Sequence, residues 1–546
     1  VNLLIAPWLP FRRRDGSQEY LPVTAMVDPE IIDLALPRED FQGAAYQFLI
    51  GLLQTAMAPE DKEEWVRLYQ TPPSIDELRE VLEKWQPAFE LDSAGPAFMQ
   101  DFDLLEDSKA SSIEIILVDS PGDNAKKQNR DFFVKGRSNP KFCKACTAIS
   151  LYNFNSTGQA IGARYRTGLR GGGPITTVVM PVEKNSSLWE KLWLNVIDIE
   201  FLGCEKPSVE SSHTFPWMGP TRTSENDEEV LFDQVHPVHM YWAMPQRMRV
   251  IFLSEDGLCD ICGRRSNELA REVRIKTYGY NYKGDWDHYL TPYGKKNNKP
   301  NETSYARKAS EDGIGYKYWG VLAFEDSDGS GSVPAKCVTD YYQKVEIADD
   351  VGIEMPDVFL IWAFGYDLDK GKTRGWYSSY MPLLALSKEA YPLAKIWLKQ
   401  MISLTEDSSS SLIKAVKEAW FKNPKEVKGN MGYISASLWE TTEHDFYQLL
   451  MELGERLSGD APPQRFPPEI AAHWYRTVTR QAAALFDEFV LSSPLEQLDM
   501  KRITRARKNF KKRLHQGTEA KAFRKTGRLD DSGQPQSARA KQGETA

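Results

Sequence analysis

Residues Cys143 to Thr177 read CKACTAISLYNFNSTGQAIGARYRTGLRGGGPITT. The opening Cys143-Lys144-Ala145-Cys146 is half of a metal knuckle. The other half, Cys259-Asp260-Ile261-Cys262, returns far downstream. Zinc takes four soft thiolates tetrahedrally, and Gly263 after the last cysteine lets the backbone turn tightly around sulfur. The spacing therefore predicts one structural zinc site, held by Cys143, Cys146, Cys259 and Cys262, that pins two distant segments together. With four thiolates in place it would be closed to substrate. Free buried cysteines, or a redox dithiol at Cys143 and Cys146 ahead of a helix, are the other uses of these residue types.

Around this stretch the composition is that of ordinary globular protein, with 546 residues, 41% hydrophobic and 27% charged. That length accommodates two or three domains. The chain lacks an uninterrupted apolar run of membrane length, and its proline-broken opening VNLLIAPWLP does not read as a signal peptide, so a cytoplasmic protein without membrane contact is expected. Six cysteines are too few for a disulfide scaffold; four form CxxC pairs, leaving Cys204 and Cys337 as lone thiols. A net charge of -9 excludes a uniformly basic coat but not a local basic patch.

The pattern along the chain predicts an α+β fold. A large irregular mixed domain carrying the zinc knuckle spans 1–375, an antiparallel four-helix bundle spans 379–515, and a disordered tail spans 521–546. In the first part, helices are expected at about 40–56, with Phe41, Phe48 and Leu52 on a wide apolar stripe, and at 74–86, where Ser74 and Glu77 form a capping box. Short runs such as SIEIILV, TTVVMPV and RVIFL then read as strands. Helices return near 382–403, 409–422, 434–457, 467–491 and 496–515.

Basic residues concentrate in several places. Lys126, Lys127, Arg130, Lys135, Arg137 and Lys141 surround Phe132 and Phe133, which is chemistry suited to phosphates and unpaired bases. Arg164, Arg166 and Arg170 lie within a glycine-rich segment that forms no nucleotide-binding signature. Arg274, Lys276, Tyr278, Tyr280 and Tyr282 alternate with smaller residues and predict a strand with one basic, aromatic face. Finally, KRITRARKNFKKRL at 501–514 is a basic amphipathic helix, and Arg505, Lys508 and Lys512 on it are expected to hold nucleic-acid backbone. Catalytic constellations are missing from the sequence: there is no HExxH and no GxSxG elbow, and His236 and His239 read as structural.

Several blocks in order resemble the large subunit, the CasA family, of the type I-E CRISPR surveillance complex Cascade. They are NLLIAPWLPFR at 2–12, LPREDFQGAAYQFLIGLLQTAMAP at 36–59, PAFMQ at 96–100, and CTAISLYN through GLRGGGPITT. The resemblance implies a subunit without an active site. It would bind the 5′ handle of a guide RNA, read the protospacer-adjacent motif in double-stranded target DNA, help open the strands, and present them to a helicase-nuclease, in company with the other Cascade subunits. Sequence selection beyond the motif would belong to guide pairing.

By position, the resemblance puts RNA-handle binding on Phe132, Phe133, Val134 and Lys135. Motif reading falls on Ala160, Ile161, Gly162 and Ala163, of which only Gly162 is glycine, and on Lys276. A strand-separating wedge falls at Asp369 and Lys370, where the family carries polar amides. Two other classes compete: a metal-dependent nucleic-acid-processing enzyme with scattered carboxylates, and a zinc-stapled scaffold that binds only protein.

Overall fold

The computed structural model describes residues 1–536 except 123–126, 128–135, 137–138, 296–303, 325–330, 354, 357, 370–371, 385, 387–389, 427–428, 460 and 493–498. The chain forms two compact units. One comprises Val1–Ala309, Glu325–Met355 and Leu360–Ser378, and the other Ser310–Phe324, Pro356–Phe359 and Ser379–Ala546. The expected division near 375 is thus refined: 310–324, placed by the sequence pattern in the first part, packs in the second unit, where Tyr316 stacks on Phe446 at 4.3 Å. None of the described helices is long and apolar enough to cross a membrane.

The first unit is built around the helix Glu39–Met57, which is buried along nearly its whole length. Its Phe48 sits at the centre of an aromatic cluster, meeting Trp8 at 5.6 Å, Phe98 at 5.7 Å, Tyr152 at 5.7 Å and Trp242 at 5.9 Å, all edge to face. Such offset geometries satisfy the ring quadrupoles while burying large areas. The capping box at Ser74 forms as expected, and the helix behind it runs Ile75–Glu83. Beyond Ser112, which ends the short strand Ala110–Ser112, SIEIILV does not form a strand. Most of it is the 3-10 turn Ile113–Ile116, which buries Ile113 and Ile116 together.

Two sheets matter for the site. A long hairpin, Arg247–Leu258 and Arg265–Lys276, is antiparallel, and the second strand also pairs with Ala110–Ser112 and Phe142–Cys143. In the other sheet, Val358–Asp369 lies between Thr176–Pro181 and Lys372–Leu384. A buried polar network ties the pieces. Asp40 accepts from Arg38 at 2.8 Å, from Asn153 at 3.0 Å, and from the Tyr366 hydroxyl. Helix starts, helix body and strand are thereby locked in one arrangement, because a buried carboxylate stripped of such donors would be costly.

The second unit is helical. Tyr391–Trp420, Gly432–Leu457, Pro468–Leu491 and Met500–Gln516 pack around Leu412, Ile434, Leu438, Phe486 and Phe510. The separate helices expected at 382–403 and 409–422 are one helix beginning at Tyr391, and residues 382–384 belong to a strand. The tail reading is corrected for the part described. Thr518–Thr526 is a helix that buries Ala520 and Phe523, and Leu529 bridges to Pro535. Residues 537–546 lie outside the described set.

Candidate metal centre and nucleic-acid interface

The four cysteines form a single cluster, with all four sulfurs within 4.8 Å of one another. Backbone pairing builds it. Phe142–Cys143 is zipped to Leu269 and Ala270 of the long hairpin, whose turn carries Cys259 and Cys262. The knuckles clasp each other: Lys141 N donates to Asp260 Oδ2 at 2.7 Å, and Asp260 N to the Lys141 carbonyl at 2.8 Å. Cys143 N donates to Cys259 Sγ at 3.3 Å, and Gly263 takes up a positive φ of 72° to close its turn.

This donor set fits zinc. Tetrahedral coordination at about 2.3 Å places sulfurs roughly 3.8 Å apart, and Cys143 Sγ stands 3.8 Å from Cys262 Sγ. A disulfide needs about 2 Å, so these are four separate sulfurs. Hydrogen bonds from Cys143 and then Cys146 hold the Cys259 thiol below its ordinary value and bring Cys262 down to about 7, while the Cys143 and Cys146 thiols of the same cluster are held above theirs. A cation taken up here would complete that ionisation.

From Cys143 the chain enters the helix Lys144–Thr157, so the cysteine cluster lies at one end of an element whose other end opens into the glycine-rich segment. Ala160 and Ile161 are half-buried, whereas Gly162 and Ala163 are exposed. The loop is anchored just beyond them, where Tyr278 N donates to the Arg164 carbonyl at 2.9 Å and the Arg164 guanidinium lies 5.9 Å from the Tyr278 ring. Tyr278 is two residues from Lys276, so the segment 160–163 and Lys276 flank one anchor. Farther along, at Gly172 and Gly173, the glycine-rich stretch packs against the sheet. A Cβ on Gly173 would stand 2.5 Å from the Tyr366 carbonyl oxygen and one on Gly172 2.7 Å from Gln159 Cβ, so close approach requires glycine at both.

That same strand ends at Asp369, which is exposed and pairs with Arg374 at 3.9 Å. Lys370 lies outside the described residues, as do Phe132, Phe133, Val134 and Lys135. Lys276 is partly exposed and paired with Asp107 at 2.7 Å, in a groove of about 430 Å³ lined by Asp103, Glu106 and Asp107 as well. An acidic neighbourhood for a cation expected to meet DNA had no signal in the local sequence pattern.

Three basic or aromatic expectations are corrected. The strand ends at Lys276; Tyr278 adopts a φ of 62°, and Tyr280 is buried, stacked at 5.8 Å on Tyr282. Arg170 is also buried: it donates to Gln47 at 2.8 Å and to Thr176 and Thr291 at 3.0 Å each, and burial lowers its pKa from the ordinary value. Arg166 donates to Ser224 Oγ at 2.8 Å and is half-buried. Their job is packing around the loop. His239, as expected, is structural, held between the His213 carbonyl at 3.1 Å and Tyr282 at 3.0 Å.

A residue missed by sequence pattern is Lys308. Its ammonium would lie 3.3 Å from a Cβ on Gly171, and it has no carboxylate partner among the described residues. The bridge between Pro174 and Lys308 brings it to the loop.

In the helical unit, Ile503, Ala506, Phe510 and Leu514 of Met500–Gln516 are buried. Arg502, Arg507 and Arg513 are tied to the bundle, respectively by the Ala419 carbonyl at 2.7 Å, Asp487 at 2.5 Å and Glu418 at 3.2 Å. Arg505, Lys508 and Lys512 are exposed and have no ion pair among the described residues.

The family profile described as CRISPR-associated protein Cse1 matches residues 2–485. The chain belongs to the Cse1 family. Solved structures agree on the fold. CasA from Thermus thermophilus superposes with a TM-score of 0.67 at 14% identity, covering 94% of this chain and 99% of that one. Thermobifida fusca Cse1 gives 0.66 at 16%, covering 95% and 98%. A chain of a CRISPR RNA-guided surveillance complex gives 0.65 at 16%, covering 94% and 99%.

Proposed function

We propose that this member of the Cse1 family is a non-catalytic subunit of a cytoplasmic, RNA-guided surveillance complex, and that it reads a short motif in duplex DNA. The observation that carries the reading is the Cse1 match over 2–485, joined to the clustering of an exposed loop with Lys276 around the Arg164 and Tyr278 anchor. Ala160 to Ala163 approach the minor groove, where Gly162 and small side chains allow close contact, and Lys276 supplies the cation. The minor groove displays a degenerate pattern, so tolerance of related motifs follows. Asp369 and Lys370 at the strand end act as a steric wedge that helps open the duplex.

Phe132, Phe133, Val134 and Lys135 hold the guide RNA handle by stacking and charge. Arg505, Lys508 and Lys512 neutralise DNA phosphates, which needs no base contact and gives salt-dependent affinity. Zinc at the four cysteines is structural, holding the helix that presents the loop. Other Cascade subunits and a helicase-nuclease complete the partners.

Lys276→Ala tests the reading. It is expected to weaken binding to motif-bearing duplex about tenfold, while binding to duplex lacking the motif is unchanged. Equal losses on both duplexes would overturn the assignment of Lys276 to motif reading.

A further inference from the structure

Four thiolates around one divalent cation carry a net charge of about −2, which calls for a cation close by. Asp260, inside the second knuckle, adds a carboxylate of its own, held by the Lys141 N–H at 2.7 Å. Most positive side chains around the cluster are already paired. Lys144 meets Glu268 at 2.6 Å and Asp92 at 3.1 Å, Lys141 meets Glu255 at 3.5 Å, and Arg265 is bound to Asp256. Arg264, just beyond Cys262 and Gly263, has no carboxylate partner among the described residues.

Arg264 is exposed yet held in place. Its carbonyl accepts from Cys259 N at 2.8 Å, in the turn that Gly263 closes, and its guanidinium carbon lies 3.4 Å from the centre of the Tyr20 ring. At that separation the planar guanidinium rests on the ring face. Tyr20 arrives from a remote element, the strand Gln18–Leu21, where it sits opposite Pro10 of Leu9–Arg13. Together with Trp8, Phe41, Cys146 and Ile149 it lines a cavity of only about 10 Å³, at the lower limit for a single water. Cys262 and Cys146 both act electrostatically on the Tyr20 hydroxyl, which also meets the Arg264 side chain. Ring, guanidinium and sulfurs are therefore neighbours. Cys143, Cys146 and Cys259 are 7%, 4% and 2% exposed, whereas Cys262 is half-buried, so water and competing ligands reach the cluster first at the cysteine beside Gly263 and Arg264.

We propose that Arg264, laid on Tyr20, is a positioning residue for the metal: its guanidinium is the counter-cation of the four thiolates and, with the ring beneath it, covers the Cys262 side and slows metal loss. Groups that surround the ligands of a metal commonly change its affinity about ten- to a hundredfold when removed. An arginine that served only to bury the Tyr20 ring would leave metal retention unchanged on replacement. The proposal rests on the reading of the four cysteines as a zinc site and adds the residues that keep the ion there.

The test follows transfer of zinc from the full-length chain to a chromogenic chelator at low and high salt. Arg264→Gln is expected to release zinc about tenfold faster. Arg264→Lys should fall between that variant and the parent, because it keeps the charge without the planar stack, and Arg265→Gln, at the neighbouring arginine paired with Asp256, should release at the parent rate. Added salt should speed release from the parent and leave Arg264→Gln nearly unchanged, since screening and substitution remove the same attraction. Tyr20→Leu, which removes the platform, should also speed release; a parent rate there would overturn the stacked arrangement. Zinc leaving Arg264→Gln at the parent rate, or an equal salt response in both chains, would overturn the counter-cation role and leave the zinc site standing. If the parent chain takes up no zinc, the zinc reading falls and this proposal with it. Unchanged circular dichroism of the variants shows that the comparison is between folded chains.

Discussion

In the proposed function motif reading turns on Lys276, and its ammonium is already committed. Asp107 holds it at 2.7 Å, and the pairing keeps the Asp107 carboxyl below its ordinary range, first through the hydrogen bond from Lys276. An exposed pair of this kind is worth little to stability, yet a carboxylate beside the ammonium competes with phosphate for it. Asp107→Asn is therefore expected to leave the melting temperature within about 1 °C and to raise affinity for duplex DNA severalfold, in a fluorescence titration at fixed salt. Unchanged or weaker binding would show that Asp107 orients Lys276 instead of guarding it. The acid was invisible to sequence reasoning because it sits on a loop brought across by the pairing of Ala110–Ser112 with the hairpin, and no local periodicity encodes that.

The helix Lys144–Thr157 shows which elements were readable and which were not. CxxC spacing predicted the cysteine cluster at its start, because four thiolates from two pairs have few other uses, and the sulfurs do converge. Alternation failed at the hairpin's end. The pattern from Arg274 to Tyr282 continues in sequence, but the backbone turns at Tyr278 with a positive φ, and the later tyrosines go inward to meet His239 and Trp286. The gap expected between 403 and 409 does not open; inside Tyr391–Trp420, Ser409 is a small residue at a close contact, its Oγ 2.8 Å from Ser435 Oγ. Likewise the charge-rich stretch after 518 hid Phe523, which stacks on Tyr475 at 6.4 Å. If the cysteines hold zinc, the purified chain should carry one equivalent by elemental analysis. Cys143→Ala should lose it and cost on the order of 3 kcal/mol of stability in denaturant unfolding. A metal-free chain of full stability would contradict the structural role.

At the scale of the whole molecule, acid should act through buried rings. Burial lowers the His239 pKa from 6.5 to about 3 and places His288 well below its ordinary value too. Both stay neutral in the fold, while in the unfolded chain they take up protons below about pH 6.5. The unfolded state then binds more protons, so stability is present in full above that pH and falls as pH drops toward 3, by about 1.4 kcal/mol per pH unit for each ring. Melting temperatures recorded between pH 7 and pH 5 should decline, and His239→Gln should flatten the decline; an identical slope in the variant would contradict this origin.

The division of labour across the molecule, with a pinned loop beside Lys276 in one unit and a cationic helix in the other, is tested most directly by binding. The decisive measurement is a salt-controlled titration of the chain, assembled with guide RNA and partner subunits, against duplexes that differ only in the bases flanking the target. Discrimination between flanks that Lys276→Ala abolishes is the predicted result; equal affinity for every flank would contradict motif reading and leave a nonspecific or scaffolding role.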